Sequence, residues 1–192
     1  MNIKQIKNKL LQSCSYLIEI GNSQYLIDCG DIAQIFNIIN CECRELKGVL
    51  LTHCHQDHIY GLSGLLKRYP RAKIFCSEIT AKGLTDDVVN LSYIMPEYSL
   101  EFIDERNVEI LNEGKQCIAG LEVEVIYTPG HSDDSLSYII ENNIFTGDSY
   151  IPFAKVFSKW PRSNKFQALE NEQKLKNMIQ ERNLIVYPGH WQ

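Results

Sequence analysis

The segment Gly48-Val49-Leu50-Leu51-Thr52-His53-Cys54-His55-Gln56-Asp57-His58 carries most of what this chain says about its fold. Its first four residues are a short apolar run suited to a strand buried on both faces. Such a strand delivers Thr52 and three histidines at its carboxyl end. In extended backbone alternate side chains share a face, so the imidazoles of His53 and His55 emerge together. Cys54, between them, is expected to point the other way and pack as a buried thiol. Asp57 and His58 fall in the first turn of a helix beginning near Ile59, offset from the pair.

The two remaining histidines of the chain's five belong to the same pattern. His131 ends Thr128-Pro129-Gly130-His131 and His190 ends Tyr187-Pro188-Gly189-His190, each after an apolar run (121–127 and 184–187) that reads as a strand. Proline ends a strand and glycine frees the backbone to turn, so each histidine is projected off a strand end. This echo raises the expectation that two related halves of the chain meet at one site. Asp148, in Thr146-Gly147-Asp148, follows a further strand at 143–146. Histidine is the commonest metal ligand and a carboxylate is a natural bridge. On this reading His53 and His55 hold one ion, while Asp57 and His58 serve a second. His131 and His190 supply the missing nitrogens, and Asp148 is placed to bridge. Two ions sharing a carboxylate and a hydroxide would sit about 3.5 Å apart.

Around this set, residues 15–20 and 24–28 flank Gly21-Asn22-Ser23 and read as a β-hairpin. Residues 32–41 read as a helix with Ile32, Ile35, Phe36 and Ile39 on one face. Residues 59–69 read as a helix stopped by Pro70, and 79–91 and 166–182 as two more. Strands are expected at 73–76, 108–111 and 135–140. Residues 149–163 form an irregular loop, and 92–104, aromatic and interrupted by proline, take no assignment.

With 192 residues and 44% hydrophobic content, the chain suits one well-buried domain over 1–192. A net charge of −5 argues against a broad grip on nucleic acid or anionic membrane. No stretch approaches the ~20 apolar residues of a membrane span. The basic start lacks an apolar signal core, which leaves the cytoplasm as the expected location. Seven cysteines without a regular framework read as reduced thiols, and Cys41-Glu42-Cys43 lacks the two-residue gap of a zinc knuckle.

The histidine run, His131, Asp148 and His190 together resemble the metallo-β-lactamase superfamily, whose signature is His-x-His-x-Asp-His followed by a histidine, an aspartate and a final histidine. The resemblance extends from Cys14-Ser15-Tyr16-Leu17-Ile18 through Leu26-Ile27-Asp28 and Gly61-Leu62 to His190. It implies an α/β fold, the αββα four-layer sandwich, with the site along one sheet edge. It assigns His53, His55 and His131 to a first metal, Asp57, His58 and His190 to a second, and Asp148 to both. The pattern is similar to glyoxalase II, acyl-homoserine lactonases and tRNA-processing nucleases. Antibiotic-hydrolysing members usually carry cysteine where Asp148 stands, which argues against β-lactamase activity. The sequence stops two residues after His190, so a bare catalytic core without a glutathione-binding region is expected.

The chemistry expected of this site is hydrolysis of a small ester, thioester, lactone or phosphoester by two divalent ions, zinc first, with iron or manganese as alternatives. Water on zinc ionises near pH 7, and Asp57 is expected both to ligate and to orient the resulting hydroxide. Two other readings stand beside it. One is a persulfide dioxygenase with a single iron, and the other is a non-catalytic metal-binding or sensing protein. Substrate contacts are expected from 92–104, from 149–163 and from Trp191. Tyr93, Tyr98 and Trp160 are candidate pocket aromatics, although such rings more often pack a core. Lys155, Lys159, Arg162 and Lys165 read first as a solvated basic loop and second as a contact for an anionic substrate.

Overall fold

The computed structural model describes residues 1–39, 44–101 and 103–192. Cys41-Glu42-Cys43, the end of the helix expected at 32–41, and Phe102 lie outside the described residues. Two sheets carry the fold. The first runs in spatial order β1 (Asn2–Lys7), β2 (Cys14–Ile20), β3 (Ser23–Ile27), β4 (Glu45–Leu50), β5 (Lys73–Cys76), β6 (Val108–Ile110). The second runs β11 (Ile185–Pro188), β10 (Asn143–Gly147), β9 (Leu136–Ile140), β8 (Leu121–Tyr127), β7 (Gly114–Ile118). The helices are α1 (Ile32–Ile38), α2 (Gln56–Ile59), α3 (Leu62–Arg68), α4 (Glu78–Gly83) and α5 (Lys165–Arg182). None of those described is long and apolar enough to cross a membrane.

Strand alternation sorts the apolar side chains into three layers. Tyr16, Ile18, Tyr25, Ile27, Leu50 and Phe75 of the first sheet face Val123, Val125, Leu136, Tyr138, Ile140 and Phe145 of the second, filling the space between them. The intervening residues Leu17, Leu26, Val49 and Ile74 point the other way, to Ile35 of α1 and Leu62 and Leu65 of α3. On the outer face of the second sheet Ile126, Ile139 and Ile144 receive Leu175 of α5. Four layers result, helix on sheet on sheet on helix, as the resemblance implied.

Both strands without an apolar signal in the sequence, β1 and β7, are sheet edges. Only Ile6 of β1 and Ile118 of β7 are buried; backbone pairing, which composition does not announce, places the rest. The expected helix at 59–69 is two pieces, α2 and α3, broken at Tyr60-Gly61, where the Gly61 amide bonds the Cys29 carbonyl at 2.9 Å. The helix expected at 79–91 is only α4, because the chain turns at Gly83. Residues 92–98 form two 3₁₀ turns.

The carboxyl ends of β4, β8, β10 and β11 converge on one edge of the sandwich. β10 and β11 are parallel and β8 is related to β10 through antiparallel β9, so all three of these end on the same side. The two halves of the chain do form the two layers, residues 2–110 the first sheet and 114–188 the second, but both Pro-Gly-His turns leave the second, so the echo is a repeated strand ending within one half. The sheets are tied there by Leu136 N to Thr52 O at 2.7 Å, Cys14 N to Gly189 O at 2.6 Å and Tyr16 Oη to Pro188 O at 2.6 Å.

Two glycines separate backbone strain from steric exclusion. Gly21 in the β2–β3 turn has φ +54° and open space where a Cβ would lie. Gly130 has φ +143°, and a Cβ there would stand 2.3 Å from the Ala168 amide nitrogen of α5. Gly21→Ala should cost about 1 kcal/mol, the left-handed term alone. Gly130→Ala should cost about 3 kcal/mol, because α5 must also move. Equal shifts of the urea midpoint in the two variants would contradict this packing.

Candidate metal centre

β4 places His53 and His55 side by side, and α2 follows at once with Asp57 and His58. β8 and the turn after it bring His131, β10 brings Asp148, and β11 brings His190. His53, His55, Asp57, His58 and His131 are buried, and His190 is the most open, with 21% of its side chain exposed. All seven residues singled out in the sequence meet in one cluster. Within it, ligand atoms of His53, His55 and His131 lie within 4.8 Å of one another, as do those of Asp57, His58 and His190, and those of His53, His58 and Asp148. Asp148 Oδ1 is 3.4 Å from His58 Nε2, while Oδ2 is 3.4 Å from His131 Nε2 and 3.1 Å from His190 Nε2. Its two oxygens thus reach both sides of the cluster.

The imidazoles are aimed by hydrogen bonds from their other nitrogens. His58 Nδ1 donates to Asp28 Oδ2 at 2.8 Å, His131 Nδ1 to the Phe157 carbonyl at 2.8 Å and His190 Nδ1 to the Leu11 carbonyl at 2.9 Å. Thr52 Oγ1 gives its own hydrogen to Asp28 Oδ2 at 2.8 Å, so it accepts from His53 Nδ1 at 3.0 Å. This network places a proton on each Nδ1 and turns each Nε2 inward, where it offers a lone pair once it is unprotonated. His131 Nε2 then meets His55 Nδ1 at 2.9 Å, a contact that needs a proton or a cation between two lone pairs. Buried His53 Nε2, His58 Nε2 and Asp148 Oδ1 have no hydrogen-bond partner. Buried polar atoms without partners are rare and costly, and this nitrogen-rich set with a carboxylate fits divalent metal ions.

Electrostatics divide the set. Burial, followed by the neighbouring imidazoles of His58 and His55, holds His53 well below the usual histidine range. Burial and His131 bring His55 down to about 4. Burial also opposes charge on His58, but Asp57, Asp148 and Asp28 outweigh it and raise the imidazole well above its ordinary value. His190 is raised too, where Asp148 overcomes burial. Burial would raise the Asp148 carboxyl, yet His131, His58 and His190 together hold it well below the carboxylate range.

Two supporting carboxylates escaped the sequence reading, since a lone aspartate has no spacing to recognise. Asp28, at φ +56° just after β3, accepts from Thr52 N at 2.7 Å as well as from Thr52 Oγ1 and His58. Asp134 accepts from Cys54 N and from Thr80 Oγ1, each at 2.8 Å, and so pins the peptide between His53 and His55. Cys54 itself points into the apolar layer beside Gly83 and Val89, as alternation requires.

A cleft of about 320 Å³ opens onto His55, Asp57, His131, Asp148 and His190. Trp160 of the 149–163 loop lines it, with Phe157 at 5.4 Å between ring centroids. Tyr93 and Tyr98 do not; Tyr98 packs edge-on against Tyr60. Trp191 corrects another expectation. It lies against the inter-sheet core with Lys7 Nζ 4.6 Å from its ring, away from the cleft wall. The basic loop is also turned elsewhere. Arg162 pairs with Asp133 through two bonds, at 2.9 and 2.7 Å, Lys155 lies beside α5 and Lys165 is the first residue of that helix.

A family model described as the metallo-beta-lactamase superfamily matches residues 8–190. The chain is 30% identical over 187 residues to a probable metallo-hydrolase of Methanocaldococcus jannaschii, a match covering 93% of this chain and 87% of that protein. It is 29% identical over 135 residues to a hydroxyacylglutathione hydrolase of Aeromonas salmonicida. That match covers 70% of this chain and 45% of the relative, less than half its length. Among solved structures, the BLEG-1 B3 metallo-beta-lactamase superposes with a TM-score of 0.84 at 23% identity, over all of this chain and 92% of that one. At that identity the likeness is one of fold.

Two outcomes follow from this geometry. Asp28→Asn leaves the cluster intact but unsettles both Thr52 and His58, so zinc affinity should fall about 10- to 100-fold in chelator competition. Unchanged affinity would remove Asp28 from any supporting role. The surroundings of His58 and His190 favour the protonated ring, so a cation competes with protons there. Zinc added to lightly buffered metal-free protein should therefore release protons, and affinity should weaken as pH falls. A pH-independent affinity between pH 6 and 8 would contradict the assignment of charge.

Proposed function

The chain belongs to the metallo-β-lactamase superfamily of metal-dependent hydrolases, and from that premise we propose that it works with two divalent ions on a small ester, thioester, lactone or phosphoester. In this reading His53, His55 and His131 hold one ion, Asp57, His58 and His190 hold the other, and Asp148 lies between them. The observation that carries it is the set of inward, unpartnered atoms: His53 Nε2, His58 Nε2 and Asp148 Oδ1. Zinc suits such imidazole-rich donors best, with iron or manganese next. When bound, the ions would supply Lewis acidity and lower the pKa of a bound water to about 7.

The protein's own groups do the rest. Asp57 and Asp148 are the acidic residues on the cleft wall among those described, and Asp57 lies in the first turn of α2, two residues after His55. We assign it to take the proton of the attacking water and hold that water toward the substrate carbonyl or phosphoryl centre. Asp148, kept ionised by its three imidazole neighbours, fixes the spacing between the two halves of the site. Carbonyls of Leu11 and Phe157 keep His190 and His131 from rotating away during turnover.

Metal analysis tests this reading. The purified protein should carry two zinc ions, or their equivalents, per chain. His55→Ala or Asp148→Ala should remove metal and activity together and lower Tm, since a bound ion stabilises the native state. His190→Ala should halve the metal content and abolish hydrolysis. One iron per chain, with hydrolysis absent, would favour the mononuclear dioxygenase reading instead. No metal at all would favour the non-catalytic one.

A further inference from the structure

Above the metal cluster the cleft wall is apolar. Leu11 comes from the loop between β1 and β2, Leu91, Ile94 and Met95 from the segment after α4, and Phe157 and Trp160 from the loop between β10 and α5. Three separate segments thus contribute nothing but hydrocarbon, aromatic or thioether surface to one rim. Leu11, Ile94 and Phe157 are 57%, 43% and 48% exposed, so the rim offers apolar area still open to water. Such area gathered around convergent polar groups is the usual form of a ligand site.

Backbone conformation sharpens the point. Leu11 has φ +49° and Leu91 φ +65°, left-handed values that a residue with a Cβ rarely adopts. Glycine or asparagine is the ordinary occupant of such positions. Here two leucines hold them, on separate segments, and both line the same cleft. Strained backbone of this kind gathers at functional sites.

The charge pattern points the same way. No lysine or arginine among the described residues lines the cleft, whereas the carboxylates of Asp57 and Asp148 do. Gln56, also on the wall, gives its side-chain NH₂ to the Met95 carbonyl at 2.6 Å and leaves Oε1 without a donor. Beyond the ions and the histidines that would hold them, an anionic phosphoester would find no lysine or arginine here, and neither would a carboxylate-bearing thiol such as glutathione.

We propose that this collar binds the acyl chain of a neutral carboxylic ester or thioester, which narrows the hydrolase reading above and rests on it. In the reaction the water oxygen forms the new bond to the acyl carbon and the acyl C–O or C–S bond breaks. One water proton goes to the leaving oxygen or sulfur, and the products are a carboxylic acid and an alcohol or thiol. The collar holds the hydrocarbon part of the acyl group while its carbonyl meets the cluster below.

Trp160 makes a binding test possible without turnover, because the chain has two tryptophans and only this one lines the cleft. In a Trp191→Phe background, straight-chain carboxylates from acetate to octanoate are titrated into zinc-loaded protein and followed by Trp160 fluorescence. Each buried methylene should lower Kd roughly two- to fourfold until the cleft is filled. kcat/KM for p-nitrophenyl acetate through octanoate should rise in parallel and exceed that for bis(p-nitrophenyl) phosphate. Ile94→Ser and Phe157→Ser, each at a partly exposed position, should flatten the dependence on chain length, chiefly through KM. A flat series, or tighter binding and faster turnover of the phosphodiester, would overturn the proposal. Ester turnover without chain-length dependence would sink the collar and leave the hydrolase reading standing. Chain-length-dependent binding without turnover of any ester would do the reverse.

Discussion

Five imidazoles and two carboxylates face one another in a largely buried space, and the rest of the structure answers that constraint. Neutral imidazole is bifunctional: one nitrogen donates and the other offers a lone pair. Pointing several lone pairs at a common centre is unfavourable unless each outer N–H is firmly held. Asp28, Thr52 and the carbonyls of Leu11 and Phe157 do the holding. These four residues come from different loops, so the cluster is assembled only when both sheets are closed. The buried inter-sheet layer of Tyr16, Tyr138 and Phe145 is as much a part of the site as the histidines.

Asp28 shows how tightly local conformation and chemistry are joined. Its left-handed backbone ends β3 and turns its carboxylate back toward β4, where it meets the Thr52 amide. One oxygen then accepts from both the Thr52 hydroxyl and His58. A single buried charge thereby fixes the end of one strand, the rotamer of one hydroxyl and the tautomers of two imidazoles. Low dielectric makes such a shared acceptor stronger than its separate bonds in water would be.

The sequence announced the cluster because metal chemistry demands rare residue types at fixed spacing, and the chain has no other histidines to confuse the pattern. Central strands were equally legible: Val49-Leu50-Leu51 is buried on both faces and must read as continuous hydrophobicity. Edges were not. β1 and β7 owe their placement to main-chain pairing, with one buried side chain each. Residues 79–91 have helical periodicity, but the close approach of Gly83 to Cys54 belongs to tertiary packing and ends α4 early. Asp28 and Asp134 are single acids whose importance lies in partners 24 to 80 residues away. Trp191 follows a candidate ligand directly, yet main-chain geometry turns its ring from the cleft toward Lys7 and the inter-sheet core. Adjacency in sequence did not decide what a side chain faces.

The left-handed turn at Leu11 joins two things that are usually separable. Its side chain stands on the cleft wall while its carbonyl holds His190, and Phe157 stands in the same relation to His131. Rim and floor therefore share peptide units, and neither can be ordered independently of the other. Thermodynamic linkage then requires reciprocity: to whatever degree a guest on the rim stiffens these loops and tightens cation affinity below, a cation tightens the guest by the same factor. Because rim and floor share these peptide units, a substitution that reshapes the mouth of the cleft also acts on the imidazoles below it.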